Sequence, residues 1–558
     1  MRVLLLCALL LSVTSGCRSA APGRPAGPAR VDAAPLRFQD TAAALGVRFQ
    51  CGLSDVTPLN ITRMVNGGAG WLDYDSDGWP DLLLSGLRAV RLYHNERGRT
   101  FRDVTAGSGL EPLSGEPQGA TSADYDGDSR PDLLVTLLDG MKLFRNVGAG
   151  KFQDVTRAAG LSLHGWATSA AFADVNSDGR LDLYVGRYVR FAPGMPEYQV
   201  DGDAQLSLGP DVYDAEQGRF YLNVGDGRFR EATRMSGLGD AHGKTLGVSF
   251  TDYDADGDQD LYLANDQALG DFYQNDGRGR FRNVGLENGT AASGSGRRQA
   301  GMGVDWGDYN RDGRLDLFVS TFYNEPKSLY RQDAGGVFTE VAQSAGLTLP
   351  QLRGTAFGVA FADWNNDGIE DLMLANGHVQ DQLDRVDAAT GYRQRAQVFL
   401  NHNGMFQDVS AGAGPAFEQK IVGRALAVAD YDRDGRLDAV IANFAGPPLL
   451  LHNESTSGNW LGIRLQGKSP NQEGLGALIR LTSGGVTQIR SVQTGRSYLS
   501  AFPAEAHFGL GTETRASAEI RWPDGQVQQV ADLKLNSVNL VRQAHEGVSV
   551  KSVLQPAH

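Results

Sequence analysis

The chain repeats one pattern of apolar and polar positions seven times. A run of small and apolar residues, such as GVSFTD (Gly247 to Asp252) or GVAFAD (Gly358 to Asp363), leads into a polar nine-residue turn. An alternating run such as LDLYVG (Leu181 to Gly186) or LDLFVS (Leu315 to Ser320) follows, with the period of two expected of half-buried strands. A third strand ends near LYHN (Leu92 to Asn95) or LLHN (Leu450 to Asn453), and a fourth starts at Phe101, Phe152, Phe229, Phe281, Phe338 or Phe406. Successive turns begin 51, 50, 78, 56, 55 and 67 residues apart, which suits four strands per unit. The last unit ends at His452-Asn453 without its Phe strand, yet an orphan copy, FQDTAAALGV, stands at Phe38 to Val47. An N-terminal strand that completes the last blade closes a ring and covers its edges. The pattern therefore predicts an all-β protein: a seven-bladed β-propeller over residues 36–455. Different β-rich segments, among them NWLGIRLQG and AEIRWPDG, predict a separate small β domain over 459–545, followed by a weakly ordered tail, 546–558.

The nine-residue turns carry the chemistry. Positions 1, 3, 5 and 9 are Asp73, Asp75, Asp77, Asp81 in the first and Asp124, Asp126, Asp128, Asp132 in the second. The third has Asp174, Asn176, Asp178, Asp182, and the fourth Asp252, Asp254, Asp256, Asp260. They continue as Asp308, Asn310, Asp312, Asp316, then Asp363, Asn365, Asp367, Asp371, and finally Asp430, Asp432, Asp434, Asp438. Short oxygen donors at alternate positions wrap one point, as a calcium loop requires, and position 6 is Gly in every copy but the second, which has Ser129. Position 7 shares no side-chain chemistry, so its expected contribution is a backbone carbonyl. The alternative, solvated acidic turns, leaves like charges facing one another seven times at identical spacing. Magnesium fits less well because it keeps most of its waters. Up to seven Ca2+ ions, with a structural role, are expected.

Charge and termini bear on the setting. The 66 acidic and 52 basic residues leave a formal charge of −14, which argues against nucleic acid as partner and matches the charge of seven divalent ions. MRVLLLCALLLSVTSGC reads as an export signal, 1–16, whose Thr-Ser-Gly-Cys ending resembles a lipobox. Cys17 is then the lipidated first residue of a Pro/Ala/Gly-rich tether, 17–35, in a bacterial envelope, with ordinary cleavage as the alternative. Only Cys51 remains beyond the leader and Cys17, so no internal disulfide supports the exported fold.

These residues resemble a known family. The Asp loops and Phe-x-Asp-Val strands are similar to the FG-GAP and VCBS repeats of integrin-like propellers. The C-terminal stretch with Tyr498-Leu499-Ser500, His507-Phe508-Gly509 and Arg521-Trp522-Pro523-Asp524-Gly525 resembles the ASPIC/UnbV domain. Together they resemble the cartilage acidic protein family. The resemblance implies calcium binding and an extracellular or surface setting, with no known reaction. No nucleophile elbow, zinc-spaced cluster or phosphate loop is present in the sequence. The expected function is adhesion or engagement of an extracellular protein or polysaccharide, with a carbohydrate-active enzyme as the alternative. If the metal loops join first and second strands, the insertions 187–219, 286–301 and 376–396 lie on the opposite face. Arg187, Tyr188, Tyr323 and His378 are the candidate ligand-binding residues there.

Overall fold

The computed structural model describes residues 35–52, 57–347, 353–544 and 550–554; the expected export signal, Cys17 and nearly all of the expected tether lie outside them. Seven blades form, each with four antiparallel strands running outward from a first strand on the axis, and the sheet of the first blade is extended to six strands. Those first strands are Gly68–Leu72, Pro117–Ala123, Ala167–Ala173, Thr245–Thr251, Val304–Gly307, Ala356–Ala362 and Gly423–Ala429. Each touches the next in the ring, and the seventh touches the first. The closing strand is the displaced one: Phe38–Asp40 pairs with Leu449–Asn453, with Phe38 opposite Asn453.

Two repeated devices join the blades. The Asn that ends each third strand donates its amide to a carbonyl of the preceding blade. Asn146 Nδ2 reaches Tyr74 O at 2.7 Å, Asn223 reaches Tyr125 O at 2.9 Å, and Asn95 reaches Tyr431 O at 2.8 Å across the closure. Blade 5 makes the same bond with Gln332. The outer Phe of each blade also packs on its predecessor, as Phe38 does edge-on against Trp364 at 5.5 Å. A glycine in the turn after each outer strand holds a positive φ and lets the next blade's Phe carbonyl approach. A Cβ on Gly109, at φ +94, would lie 2.0 Å from Phe152 O, so no other residue fits there.

The C-terminal segment forms sheets of its own and packs on the propeller as a cap. Its two four-stranded sheets, one containing Asn459–Gln466 and the other Leu478–Ser483, bury Ile463, Ile479, Phe508, Ile520 and Trp522 in an apolar core that is continuous with blades 2 and 3. The first of these sheets extends past the expected boundary into Val550–Leu554, which pairs with Val538–Arg542. From this cap a hairpin, Gly495–Arg496 and Ser500–Ala501, enters the propeller axis. It adds to blade 1 as a parallel strand, with Ala69 opposite Ser500 and Gly70 opposite Ala501. A Cβ on Gly70 would lie 2.9 Å from the Ala501 Cβ, and one on Gly68 would lie 2.9 Å from Leu499 O, so the hairpin's approach requires both glycines. At the hairpin tip Tyr498 is fully buried and donates to Val65 O, Ser497 N donates to Val304 O at 2.7 Å, and Leu499 N donates to Ser169 Oγ at 3.0 Å. Arg496 pairs with the buried Asp305 at 3.1 Å. Val359 N donates to Ser497 Oγ at 2.9 Å, so one short hairpin bonds to blades 1, 3, 5 and 6.

Candidate metal centres

Each metal loop joins the first and second strands of its blade, so all seven lie on one rim, and the cap covers that rim. Arg464 pairs with Asp73 at 2.8 Å, Glu473 Oε2 accepts from Asp124 N at 2.8 Å, and Arg521 donates to the carbonyls of Ala255 and Asp256. Gly435 lies against the Trp460 indole, where any side chain would collide.

The loops share a hydrogen-bond frame. The carboxylate at position 1 accepts from the N–H at position 6, at 2.7 to 3.1 Å in all seven. The carboxylate at position 5 accepts from the N–H at position 7, at 2.9 to 3.1 Å. The Asp at position 9 accepts from the backbone N–H of the third-strand Asn or Gln, at 2.7 to 2.9 Å. Position 7 therefore does more than offer its backbone. Where it is Arg, at Arg130, Arg180, Arg314 and Arg436, the guanidinium clamps the position-5 carboxylate and a third-strand carbonyl.

Position 6 takes a positive φ, and so does position 4. Ser76, Ser177, Ala255, Arg311, Asn366 and Arg433 sit at φ 56 to 61°. In the second loop the glycine has moved to position 4, Gly127 at +77°, while Ser129 holds +69° at position 6. Every loop thus has one glycine for two left-handed positions, and the second keeps the geometry of the rest. Position 4 also links loops: Arg433 donates to Gly78 O in the next loop and pairs with Glu505 of the cap at 2.7 Å. Asn366 donates to Gly435 O at 2.8 Å. Nothing in the local sequence signals these contacts.

Several carboxylate oxygens are left over. Asp73 Oδ1, Asp126 Oδ1, Asp252 Oδ1, Asp260 Oδ2, Asp316 Oδ2 and Asp430 Oδ1 are buried without a hydrogen-bond partner. Burial pushes the carboxyls of Asp81, Asp124 and Asp438 up to about 7 and those of Asp132 and Asp316 up to about 9. Asp73, Asp126 and Asp252 each have an arginine within 4 Å, and even so these oxygens are left without a hydrogen bond, which a hard cation would supply with further charge. The fourth loop fits best: Asp252, Asp254 and Asp260 bring oxygens within 4.8 Å of one another, and two of the unpartnered atoms are theirs. Calcium held there would supply the positive charge that keeps the carboxylates ionised.

The residue before the third-strand Asn or Gln separates the loops. It is His94, Arg145, Leu222, Gln274, Arg331, Leu400 and His452 in blades 1 to 7. In blade 2, Arg145 lies 2.6 Å from Asp126 and 3.1 Å from Asp128, so a guanidinium already occupies the side of that site. This Arg, rather than Ser129, sets the second loop apart. Gln274 Nε2 donates to Asp254 at 3.2 Å. His94 Nδ1 lies 3.3 Å from both Asp75 and Asp81, and His452 Nδ1 lies 3.2 Å from Asp438 and 3.6 Å from Asp432. The hydrogen bond to Asp438 raises the His452 imidazole to about 9, and the nearby Asp81 carboxylate raises His94.

On the opposite face the insertions knit together. Gln380 Nε2 donates to Ser207 O at 2.8 Å, Gln205 N donates to Gln382 Oε1 at 3.0 Å, and Leu59 N donates to Asp381 Oδ1 at 3.1 Å. Segments ahead of blade 1 and within blades 3 and 6 form one roof, which turns most of the expected ligand residues inward. Arg187 pairs with Glu216 at 2.7 Å, Tyr188 donates to Asp266 at 2.5 Å, and His378 is 2% exposed. All three are interior supports. Tyr323 is half-buried, edge-on to His378 at 5.0 Å.

The FG-GAP-like repeat family matches residues 73–135, 138–185, 200–263, 252–319 and 308–374, and the ASPIC and UnbV family matches 467–547. Cartilage acidic protein 1 of Mus musculus is 25% identical over 509 residues, covering 86% of this chain and 74% of its own length. Its Homo sapiens counterpart is 24% identical over 512 residues, covering 86% and 72%. Among solved structures, the BP39L lectin from Burkholderia pseudomallei covers 71% of this chain and 97% of its own at 11% identity, with a TM-score of 0.43.

Proposed function

The chain belongs to the FG-GAP-repeat proteins that carry an ASPIC and UnbV domain, and on that premise we propose that it is an exported, calcium-stabilised adhesion or interaction module for a protein or polysaccharide partner. The observation that carries the calcium reading is the set of unpartnered buried carboxylate oxygens in the metal loops. The cap lies over those loops, so calcium acts as a structural tie there, and the roof built from the insertions is the face left for a partner. No helix among the described residues is long and apolar enough to cross a membrane. The lipobox-like Thr14-Ser15-Gly16-Cys17 supports attachment through a lipidated Cys17. Retention on a panel of immobilised polysaccharides and surface proteins, with calcium or chelator, tests the reading. Calcium-dependent retention that leaves the polymer unchanged is expected. A shortened polymer would replace the binding reading with an enzymatic one, and an unchanged unfolding midpoint in chelator would remove calcium from it.

A further inference from the structure

The seven loops are alike in their carboxylates and unlike in what faces them from the third strand. At that position, a side chain of blade 1, 2, 4 or 7 reaches the position-3 carboxylate: His94 to Asp75, Arg145 to Asp126, Gln274 to Asp254 and His452 to Asp432. In blade 5 the equivalent Arg331 turns to Asp333 instead, and blades 3 and 6 have Leu. The slot therefore faces the Asp loop in blades 1, 2, 4 and 7.

In blades 1 and 7 it brings an imidazole nitrogen into a carboxylate pair. Asp75, Asp81 and His94 each present one ligand atom within 4.8 Å of the others, and so do Asp432, Asp438 and His452. His94 Nδ1 is buried without a hydrogen-bond partner. Beside the blade 7 group, Asp430 is 4% exposed and leaves Oδ1 unpartnered. Separations of 3.2 to 3.6 Å from Nδ1 to the carboxylate oxygens are close to the edge, about 3.3 Å, of a tetrahedron of ligands around an ion at about 2.0 to 2.1 Å. Imidazole nitrogen is a borderline donor that calcium does not select and that zinc-class ions do. We propose that blades 1 and 7 each bind a divalent transition ion of the zinc class through Asp75, Asp81 and His94 and through Asp432, Asp438 and His452, while the all-oxygen loops take calcium. The two sites flank the ring closure. The inference rests on the loops being metal sites but not on their taking calcium.

Cobalt(II) titration of the purified chain in millimolar calcium, followed by visible absorption and metal analysis, tests it. Two equivalents are expected, displaced by zinc. H94Q and H452Q, which install the residue blade 4 already uses, should each remove one equivalent, and the double variant both. No saturable cobalt or zinc binding above calcium, or two equivalents surviving in the double variant, would overturn the assignment. Should a variant fail to fold, X-ray absorption on the wild-type cobalt form decides: one imidazole per ion is expected, and none refutes the sites. Calcium counted in the same samples keeps the two readings apart, since transition-ion binding without calcium refutes only the calcium reading.

Discussion

Truncating Tyr498 tests whether the axial hairpin holds the cap and propeller together. Its side chain is fully buried among Met64, Val65, Trp166, Tyr188 and Phe357, with the Phe357 ring 4.8 Å away, and its hydroxyl donates to Val65 O. Y498F removes that hydrogen bond alone, at a cost of about 1 kcal/mol. Y498A adds loss of the ring, for which a buried aromatic replaced by Ala costs about 3 to 5 kcal/mol, so the total is about 5 kcal/mol. Urea unfolding in fixed calcium, followed by tryptophan fluorescence, reads both variants, because Trp522 reports on the cap and Trp71, Trp166 and Trp364 on the propeller. Wild type should unfold in one transition. In Y498A the cap transition should separate and move to lower urea. The reasoning fails if Y498A stays within about 1 kcal/mol of wild type, or if Y498F costs as much as Y498A.

Stripping the metal should make stability strongly pH-dependent. The raised carboxyls keep protons in the folded apo chain that ordinary carboxyls, at about 4, release on unfolding, so the apo fold loses stability as pH rises from about 4 to about 9. Calcium cancels that loss, and the midpoint gap between calcium and chelator, measured by scanning calorimetry, should widen from pH 5 to pH 9. N146A orphans Tyr74 O, Pro131 O and Gly148 N at a buried blade junction and should cost about 3 kcal/mol in chemical unfolding. In the second loop S129G should be near neutral, since about 1 kcal/mol of backbone relief offsets the lost bond to Gln472, whereas G127A should destabilise because its Cβ would lie 2.9 Å from the Pro470 Cβ at a positive φ. Thermal midpoints of the pair check this.

The rim of Asp loops was legible because its parts are local. An Asp-x-Asp-x-Asp-Gly turn closes its own hydrogen bonds within nine residues, and seven copies reveal which positions matter. The displaced Phe38 strand was legible too, since a missing strand and an orphan copy leave one arithmetic solution. Position 4 was not, because Ser76, Ala255, Arg311 and Asn366 have no common chemistry and share only a backbone angle. The ligand-face residues misled for a related reason: an Arg, a Tyr and a His in an insertion look exposed until the insertion folds back, and Glu216 and Asp266 then bury two of them in pairs.

By itself the sequence determined the blade, the number of blades, the ring closure and the oxygen-rich loops, all of which follow from period-two burial and short-range turn chemistry repeated along the chain. Only the tertiary structure decided that the cap lies over the metal rim, that Tyr498 reaches Val65 across 433 residues, and that His94 and His452 face carboxylates where Arg145 supplies a charge of its own. The cap and Tyr498 contacts join segments with no shared periodicity, and the slot contacts join a loop to the third strand of its own blade, so all of them exist only once the sheets have formed.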